Sequence, residues 1–553
     1  MPSPTLAPAA LQASNSDYLW WRDGVIYQIY PRSFMDSNGD GVGDLPGIIS
    51  RLDYVAELGV DAIWLSPINK SPMFDFGYDI SDYEDVDPLF GTRADFDRLI
   101  AKAHRLGLKV MMDLVINHTS IEHPWFQESR SSRDNPKADW YIWADKAPGK
   151  NGRQPPNNWA AVYGGPAWEW DATRGQFYCH LFFKEQADVN WRNPGLRAAL
   201  MNMIRFWLDR GVDGFRLDVV NLFFKDAQLR DNPPALTLSH RAFLPWFRQK
   251  HIYDCNLPEL HDAYREFRRL LDSYPERGSV GEILLSEEPE VVAGYIGRDQ
   301  LHLAFHFDLL HRPWLPRAFQ ESATAWESAT ASDPDKWPAY ALSNHDWPRH
   351  VTRHGGGPFA PARAKVAAAM LLTLRGTPFL YMGEEIAMPS PSLARKDLVD
   401  PPSKKLWPFY NRDVARTPMQ WDDSPNAGFT AGKPWLPVGP SFDKINVAAQ
   451  KADPRSVLNF YRALLHLRRE SPALRRGAFR PLVERPVNAM VYLRETGAQK
   501  MLVALNFFGH HTTVQLPDGN WRQALSTHIG GGPVGNQLTL APFEASILEL
   551  VPG

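Results

Sequence analysis

Four carboxylates of the 553-residue chain end or follow short apolar runs: Asp113 in KVMMDLVINH, Asp218 in GFRLDVV, Glu282 in SVGEIL and Asp346 in YALSNHD. Acids in such runs are costly to bury unless they are paired or functional. One shared site explains all four, whereas a structural explanation needs a separate partner for each. Without a Cys/His nucleophile signature, converging acids fit either a metal site or two carboxylates acting on a glycosidic bond. The neighbouring residues separate the roles. Arg216 lies two residues before Asp218, so on a strand both side chains share a face, and the cation should keep Asp218 ionised as a nucleophile requires. Glu282 stands between Gly281 and Ile283 with no adjacent base. An apolar, acid-crowded setting should raise its pKa and keep it protonated, as a general acid requires. His118 and His345 are neutral donors suited to hydroxyl groups.

A second group of oxygen donors lies in DSNGDGVGD, residues 36–44, where Asp36, Asn38, Asp40 and Asp44 nearly alternate and Gly41 permits a sharp turn. Donors at this density suit a hard cation such as Ca²⁺. The run begins like an EF-hand loop, but position twelve is Gly47 rather than Glu and a strand leads into it, so the EF-hand reading fails.

The elements that position these residues follow from hydrophobic periodicity. Eight β-branched or aromatic runs read as strands: Val25 to Phe34, Ala62 to Ile68, Lys109 to Leu114, Gly214 to Val219, Ser279 to Leu284, His302 to Phe307, Ala339 to Ser343 and Thr377 to Met382. Amphipathic stretches such as LPGIISRLDYVAEL and GLRAALMNMIRFWLD separate them. This alternation predicts an α/β fold, a (β/α)₈ TIM barrel, in which all four acids meet at one rim. The expected barrel spans residues 20–119 and 191–475, with a small inserted domain over 120–190 after strand 3 and an excursion over 387–429 after strand 8. Short alternating strands over 476–553 predict a C-terminal antiparallel β-sandwich domain. Residues 1–19 read as a disordered Pro/Ala/Ser tail.

Composition bounds the partners. Lys and Arg number 60 against 63 Asp and Glu, a net charge of -3 that gives no pull toward nucleic acid or an acidic membrane. Two cysteines exclude a disulfide framework, and the N-terminus lacks the pattern of a Sec signal. The longest apolar run, Val366 to Leu374, stops at Arg375, well short of the roughly 18 to 20 residues of a membrane span. A soluble cytoplasmic protein is expected. The 20 Trp suit a ligand that is apolar on its faces and wet at its edges, as sugars are. Six of them (Trp125, Trp140, Trp143, Trp159, Trp168 and Trp170) fall in the inserted region and should pack it instead.

DLVINH, GFRLD, GEI and SNHD resemble, in order and spacing, the four main blocks of the α-amylase superfamily, glycoside hydrolase family thirteen. VIYQIYPRSF, SPMFDFGYDISDY and ARTPMQWD are similar to segments of its α-glucosidase and oligo-1,6-glucosidase branch, and the likeness runs from Trp20 over nearly the whole chain. The resemblance implies a retaining double displacement, with Asp218 as nucleophile, Glu282 as acid/base and Asp346 as transition-state stabiliser. It also implies a nonreducing-end subsite lined by Asp75, Tyr78, His118, Phe182, Arg216, His345 and Arg412, closed by an Asp75–Arg412 ion pair. A structural Ca²⁺ on Asp36, Asn38, Asp40, Val42 and Asp44 is expected, as in many relatives, and no organic cofactor. The implied substrate is a short oligosaccharide or an α-glucoside. For linkage the signals divide. Val219 resembles the α-1,6 type, whereas QADVN in place of the branch's QPDLN points to an α-1,4, maltose-like sub-branch, which is the preferred reading. Transglucosylation stays open. A sucrose isomerase is disfavoured because NRDVART does not resemble that group's loop, and a non-catalytic binding barrel is the remote alternative.

Overall fold

Eight parallel strands close into a barrel: β1 (Ile26–Ile29), β2 (Ala62–Leu65), β3 (Lys109–Leu114), β4 (Gly214–Leu217), β5 (Gly278–Gly281), β6 (Leu303–Phe305), β7 (Trp337–Ala341) and β8 (Thr377–Tyr381). The computed structural model describes residues 18–146, 154–236, 243–284, 288–333, 335–528 and 533–552. Each strand overlaps one of the expected runs. All but Lys109 of their residues are buried, as parallel strands flanked on both faces require. β8 pairs with β1 through Ile26 opposite Phe379, which completes the closure.

The helices form where the 3.6-residue apolar pattern meets a cap. Leu45–Leu58 starts on Asp44, whose side chain accepts from the Gly47 N–H, and ends at Gly59 in the left-handed region (φ 98°). It buries Leu45, Ile48, Leu52, Val55 and Leu58 against the barrel. Inside the barrel, Ile26, Trp64, Met111, Val280, Leu303, Phe305, Trp337 and Phe379 form a packed core rather than a channel. Trp20 belongs to that core and lies against the starts of β4 and β5. A Cβ on Gly278 would lie 3.0 Å from the Trp20 ring and 2.8 Å from the Trp21 Cβ, so only glycine fits there.

Of the expected tail, residues 1–17 lie outside the described residues. Tyr18 and Leu19 depart from that expectation. The Tyr18 hydroxyl donates to Asp61 at 2.7 Å, and the Leu19 N–H donates to Asp23 at 2.9 Å, which ties this stretch to the barrel. The region between β3 and the helix Pro194–Asp209 holds a three-stranded antiparallel sheet (Trp143–Ala144, Gln176–Cys179, Trp168–Asp171) and a ribbon pairing His118–Ser120 with Gln186–Asp188. Trp159 and Trp168 stack within this region at 5.8 Å between ring centroids.

After β8 the chain makes short 3₁₀ turns and two short helices, Pro401–Leu406 and Val447–Ala452, before the long helix Val457–Glu470. The C-terminal part contains a six-stranded antiparallel sheet and a separate two-stranded one. Ala478–Pro481, Asn520–Ser526 and Gln537–Leu540 have no counterpart among the strands legible in the sequence. Ala478–Pro481 and Asn520–Ser526 break the polar–apolar alternation that betrays a strand, and Gln537–Leu540 keeps it over only four residues. Among the described residues no helix is long and apolar enough to cross a membrane.

Candidate active site

The strand register brings the acids together. Asp113 on β3 lies directly opposite Arg216 on β4, both pointing into the barrel, and Asp218 and Glu282 leave the ends of β4 and β5 one residue beyond the pairing. Arg216, 2% exposed, is the hub. Its Nη1 donates to Asp113 at 2.8 Å and to Asp218 at 2.7 Å, and its Nη2 donates to Glu282. Arg216 therefore does not line the cavity as the sequence suggested; it lies beneath and fixes three carboxylates that do, or that brace those that do. Glu282 also departs from expectation, since a cation touches it although none is adjacent in sequence.

Despite that cation, burial and the negative charges of Asp218 and Asp346 push Glu282 up to about 8. Burial and Asp113 raise Asp218 to about 6 against the pull of Arg216. Arg216 thus keeps Asp218 only partly as acidic as its proximity suggests, because Asp113 shares the same nitrogen. At neutral pH the pair still divides into an ionised Asp218 and a protonated Glu282. Asp346 is different. Burial works against its charge, but His345, Arg416, Arg412 and Arg216 hold its carboxyl well below the usual range.

These groups floor a cavity of about 610 Å³, within the usual range for small-molecule sites. Asp75, Tyr78, His118, Phe182, His345 and Arg412 all line it, as expected. The Tyr78 ring stacks on His345 at an interplanar angle of 4°, and its hydroxyl contacts Asp113 at 3.1 Å and His345 Nε2 at 2.7 Å. The Asp75–Arg412 pair is formed at 2.7 Å. Asp400, fully buried, accepts from Arg412 at 2.6 Å and Arg416 at 3.4 Å, and Arg416 reaches Asp346 at 2.9 Å. The segment after β8 thereby links the far wall of the cavity to the Asp346 carboxylate.

Sequence reasoning left several lining residues without a role. Gln186, the first residue of QADVN, donates to Asp75 at 3.2 Å, and Tyr163 of the inserted region accepts from Arg412 at 3.1 Å. Phe243, Phe247, Phe307, Trp347, Phe409 and Tyr410 complete the outer wall. Phe307 ends the sixth strand run, and the others' only sequence signal was position in loops after strands, too general to single them out. None of the six Trp residues of the inserted region lines the cavity, in line with the packing role expected for them.

The proposed cation loop closes on itself. Asp36 accepts from the backbone of Asn38, Gly39 and Gly41, and Asp40 from that of Val42. Gly41 adopts φ 92°, and a Cβ there would meet the Lys433 carbonyl at 1.9 Å. Among the described residues no ion pair neutralises Asp36, Asp40 or Asp44. The three carboxylates, the Asn38 amide and the Val42 carbonyl are hard oxygen donors, a set compatible with Ca²⁺.

Comparison with known proteins agrees with this geometry. The description of the alpha-amylase catalytic domain matches residues 28–477. A probable alpha-glucosidase of Rhizobium meliloti is 48% identical over 509 residues, covering 90% of this chain and 91% of its own. An oligo-1,6-glucosidase of Parageobacillus thermoglucosidasius is 41% identical, covering 96% and 99%. The solved structure of an alpha-glucosyl transfer enzyme, XgtA, superposes with a TM-score of 0.90 at 46% identity, covering 97% of this chain and 100% of that one. Barrel, converging acids and whole-length likeness agree that the chain belongs to the α-amylase family of glycoside hydrolases.

Proposed function

We propose that the protein is a retaining, exo-acting α-glucosidase that releases or transfers the terminal nonreducing glucosyl unit of short oligosaccharides or α-glucosides. The carrying observation is that Asp218 and Glu282 take adjacent nitrogens of one guanidinium, in a cavity whose far wall is an ion pair. Retention requires the two carboxyls close together, at about 5–5.5 Å. In this reading an Asp218 oxygen bonds to the anomeric carbon as the bond to the leaving oxygen breaks, and that oxygen takes the Glu282 proton. Glu282, now a carboxylate, accepts a proton from water or an acceptor hydroxyl, whose oxygen displaces Asp218 and restores both groups. Asp346, held ionised, binds sugar hydroxyls in the transition state. Asp75 with Arg412 ends the cavity behind the terminal sugar, which favours exo action.

Polarity supports the orientation. Ile283, Leu284, Phe243, Phe247 and Phe409 line the outer part, so a leaving group with an apolar face is well accommodated. For linkage, α-1,4 substrates are the first reading, from the QADVN block. An α-1,6 preference is the second, favoured by Val219, which lines the cavity directly after Asp218, while Ala187 and Val189 do not line it. Transfer to acceptors is supported by likeness to the glucosyl transfer enzyme.

Incubation of the folded protein with 4-nitrophenyl α-glucoside should release nitrophenol, and no release refutes the enzyme reading. Product analysis on maltose, isomaltose and sucrose then assigns linkage and transfer. We also propose that Asp36, Asn38, Asp40, Val42 and Asp44 hold a structural Ca²⁺, and that the protein works in the cytoplasm, in keeping with its two buried free thiols.

A further inference from the structure

A neutral histidine offers a sugar a donor or an acceptor depending on which nitrogen carries its proton, and heavy atoms alone rarely reveal which. His118, on the cavity wall, is an exception, because its Nδ1 contact traces back to two groups with fixed roles. Lys225 is an ammonium and only donates; Asp188 is a carboxylate and only accepts. They form a buried ion pair at 2.6 Å, 1% and 0% exposed. The buried Asn117 lies between them. Lys225 Nζ donates to Asn117 Oδ1 at 3.0 Å, and Asn117 Nδ2 donates to Asp188 Oδ1 at 3.3 Å, so the amide has one orientation. The same Nδ2 is 3.1 Å from His118 Nδ1, which must accept. The ring proton then sits on Nε2 and donates to the Tyr78 carbonyl at 3.0 Å; the Gln186 amide nitrogen, 3.1 Å from Nε2, spends its two protons on Asp75 and the same carbonyl. Burial, which lowers the His118 pKa to about 4, keeps the ring neutral.

Two elements hold this relay. The ribbon of His118–Ser120 with Gln186–Asp188 sets Asp188 opposite His118, and Lys225 also donates to the Leu222 carbonyl, in the turn that follows Asp218. We infer that Lys225 is a positioning residue for substrate binding: with Asp188 it fixes the Asn117 amide, and so holds the His118 Nε2–H on the Tyr78 carbonyl, which sets the His118 and Tyr78 rings on the cavity wall. Without both the ammonium and the carboxylate the amide is free to turn its oxygen toward His118. The ring proton then moves to Nδ1, and the Tyr78 carbonyl loses its His118 donor. The kinetic part of this inference rests on the α-glucosidase reading; the tautomer does not.

The test uses Lys225→Met, Lys225→Arg and the double variant Lys225→Met/Asp188→Asn. The last leaves no unpaired buried charge and so guards against a folding failure. In ¹⁵N-histidine-labelled protein, His118 is assigned by its loss in His118→Ala. The wild type should carry the proton on Nε2; the double variant should shift it toward Nδ1, and Lys225→Met, which keeps the Asp188 acceptor, should shift it less. With 4-nitrophenyl α-glucoside, KM should rise about tenfold with kcat little changed, the cost of about one hydrogen bond of ground-state binding. Lys225→Arg should restore KM. In a His118→Ala background, Lys225→Met should add nothing. An Nδ1 proton in the wild type, an unchanged tautomer and KM in the double variant, or a fully additive KM effect with His118→Ala would each overturn the inference. A folded wild type that releases no nitrophenol sinks the glucosidase reading instead, and the tautomer then decides this one.

Discussion

Asp113 adds to the burial that raises Asp218, the proposed nucleophile, although it does not line the cavity. It and Asp218 accept from the same Arg216 nitrogen at 2.8 and 2.7 Å. Their oxygens therefore stand about 5 Å apart, and in an effective dielectric of about 20 two such charges repel by about 3 kcal/mol, or about two pKa units. Asp113→Asn keeps the shape and removes one charge. Asp218 must be ionised to attack, so wild-type activity should fall as pH drops through its value of about 6. Removing the neighbouring negative charge eases ionisation, and the acidic limb should move down by about one to two units, the lower figure applying if cavity water screens the pair. The assay is kcat/KM for 4-nitrophenyl α-glucoside against pH, which reports groups of the free enzyme. Each profile is normalised to its own maximum, because the absolute rate will also fall as Tyr78 and Trp64 lose a carboxylate acceptor. A limb that stays near 6 in a variant with an intact unfolding transition would refute the account of Asp218.

Glu282→Gln should abolish the alkaline limb expected near 8 and cost about 10² to 10⁴ in turnover of maltose, with a smaller loss for 4-nitrophenyl α-glucoside, whose leaving group needs less protonation; equal losses on both substrates would remove Glu282 as the acid. Arg412→Met leaves Asp75 buried without its cation and Asp400 with Arg416 alone, and should lower stability by about 3–5 kcal/mol in denaturant melts, with KM raised more than kcat is lowered; an unaltered melt contradicts the network. Trp20→Ala opens the packed N-terminal end of the barrel and should cost about 3–5 kcal/mol with little change in KM. Chelator should lower the melting temperature, and metal analysis that finds no bound cation would remove the Ca²⁺ proposal.

Much of the site was legible because catalysis on a barrel needs acids at strand ends, and strand ends are where apolar runs stop. Asp113, Asp218, Glu282 and Asp346 were found by that rule alone, and the Asp75–Arg412 closure by resemblance. Asp400, Arg416 and Lys225 were not. Each lies in a loop with no period and acts through partners distant in sequence, Asp400 through Arg412 and Arg416, and Lys225 through Asp188 and Asn117.

The sequence by itself determined the barrel, the family and which carboxylates meet at one site, since these depend on local periodicity and residue type. Tertiary structure decided their protonation. Arg216 sits one residue away from the nucleophile's strand end, yet it serves three acids from three strands, and the balance of burial, shared cation and neighbouring charge separates Asp218 near 6 from Glu282 near 8. That balance is a sum over distances in three dimensions, and spacing along the chain does not encode it.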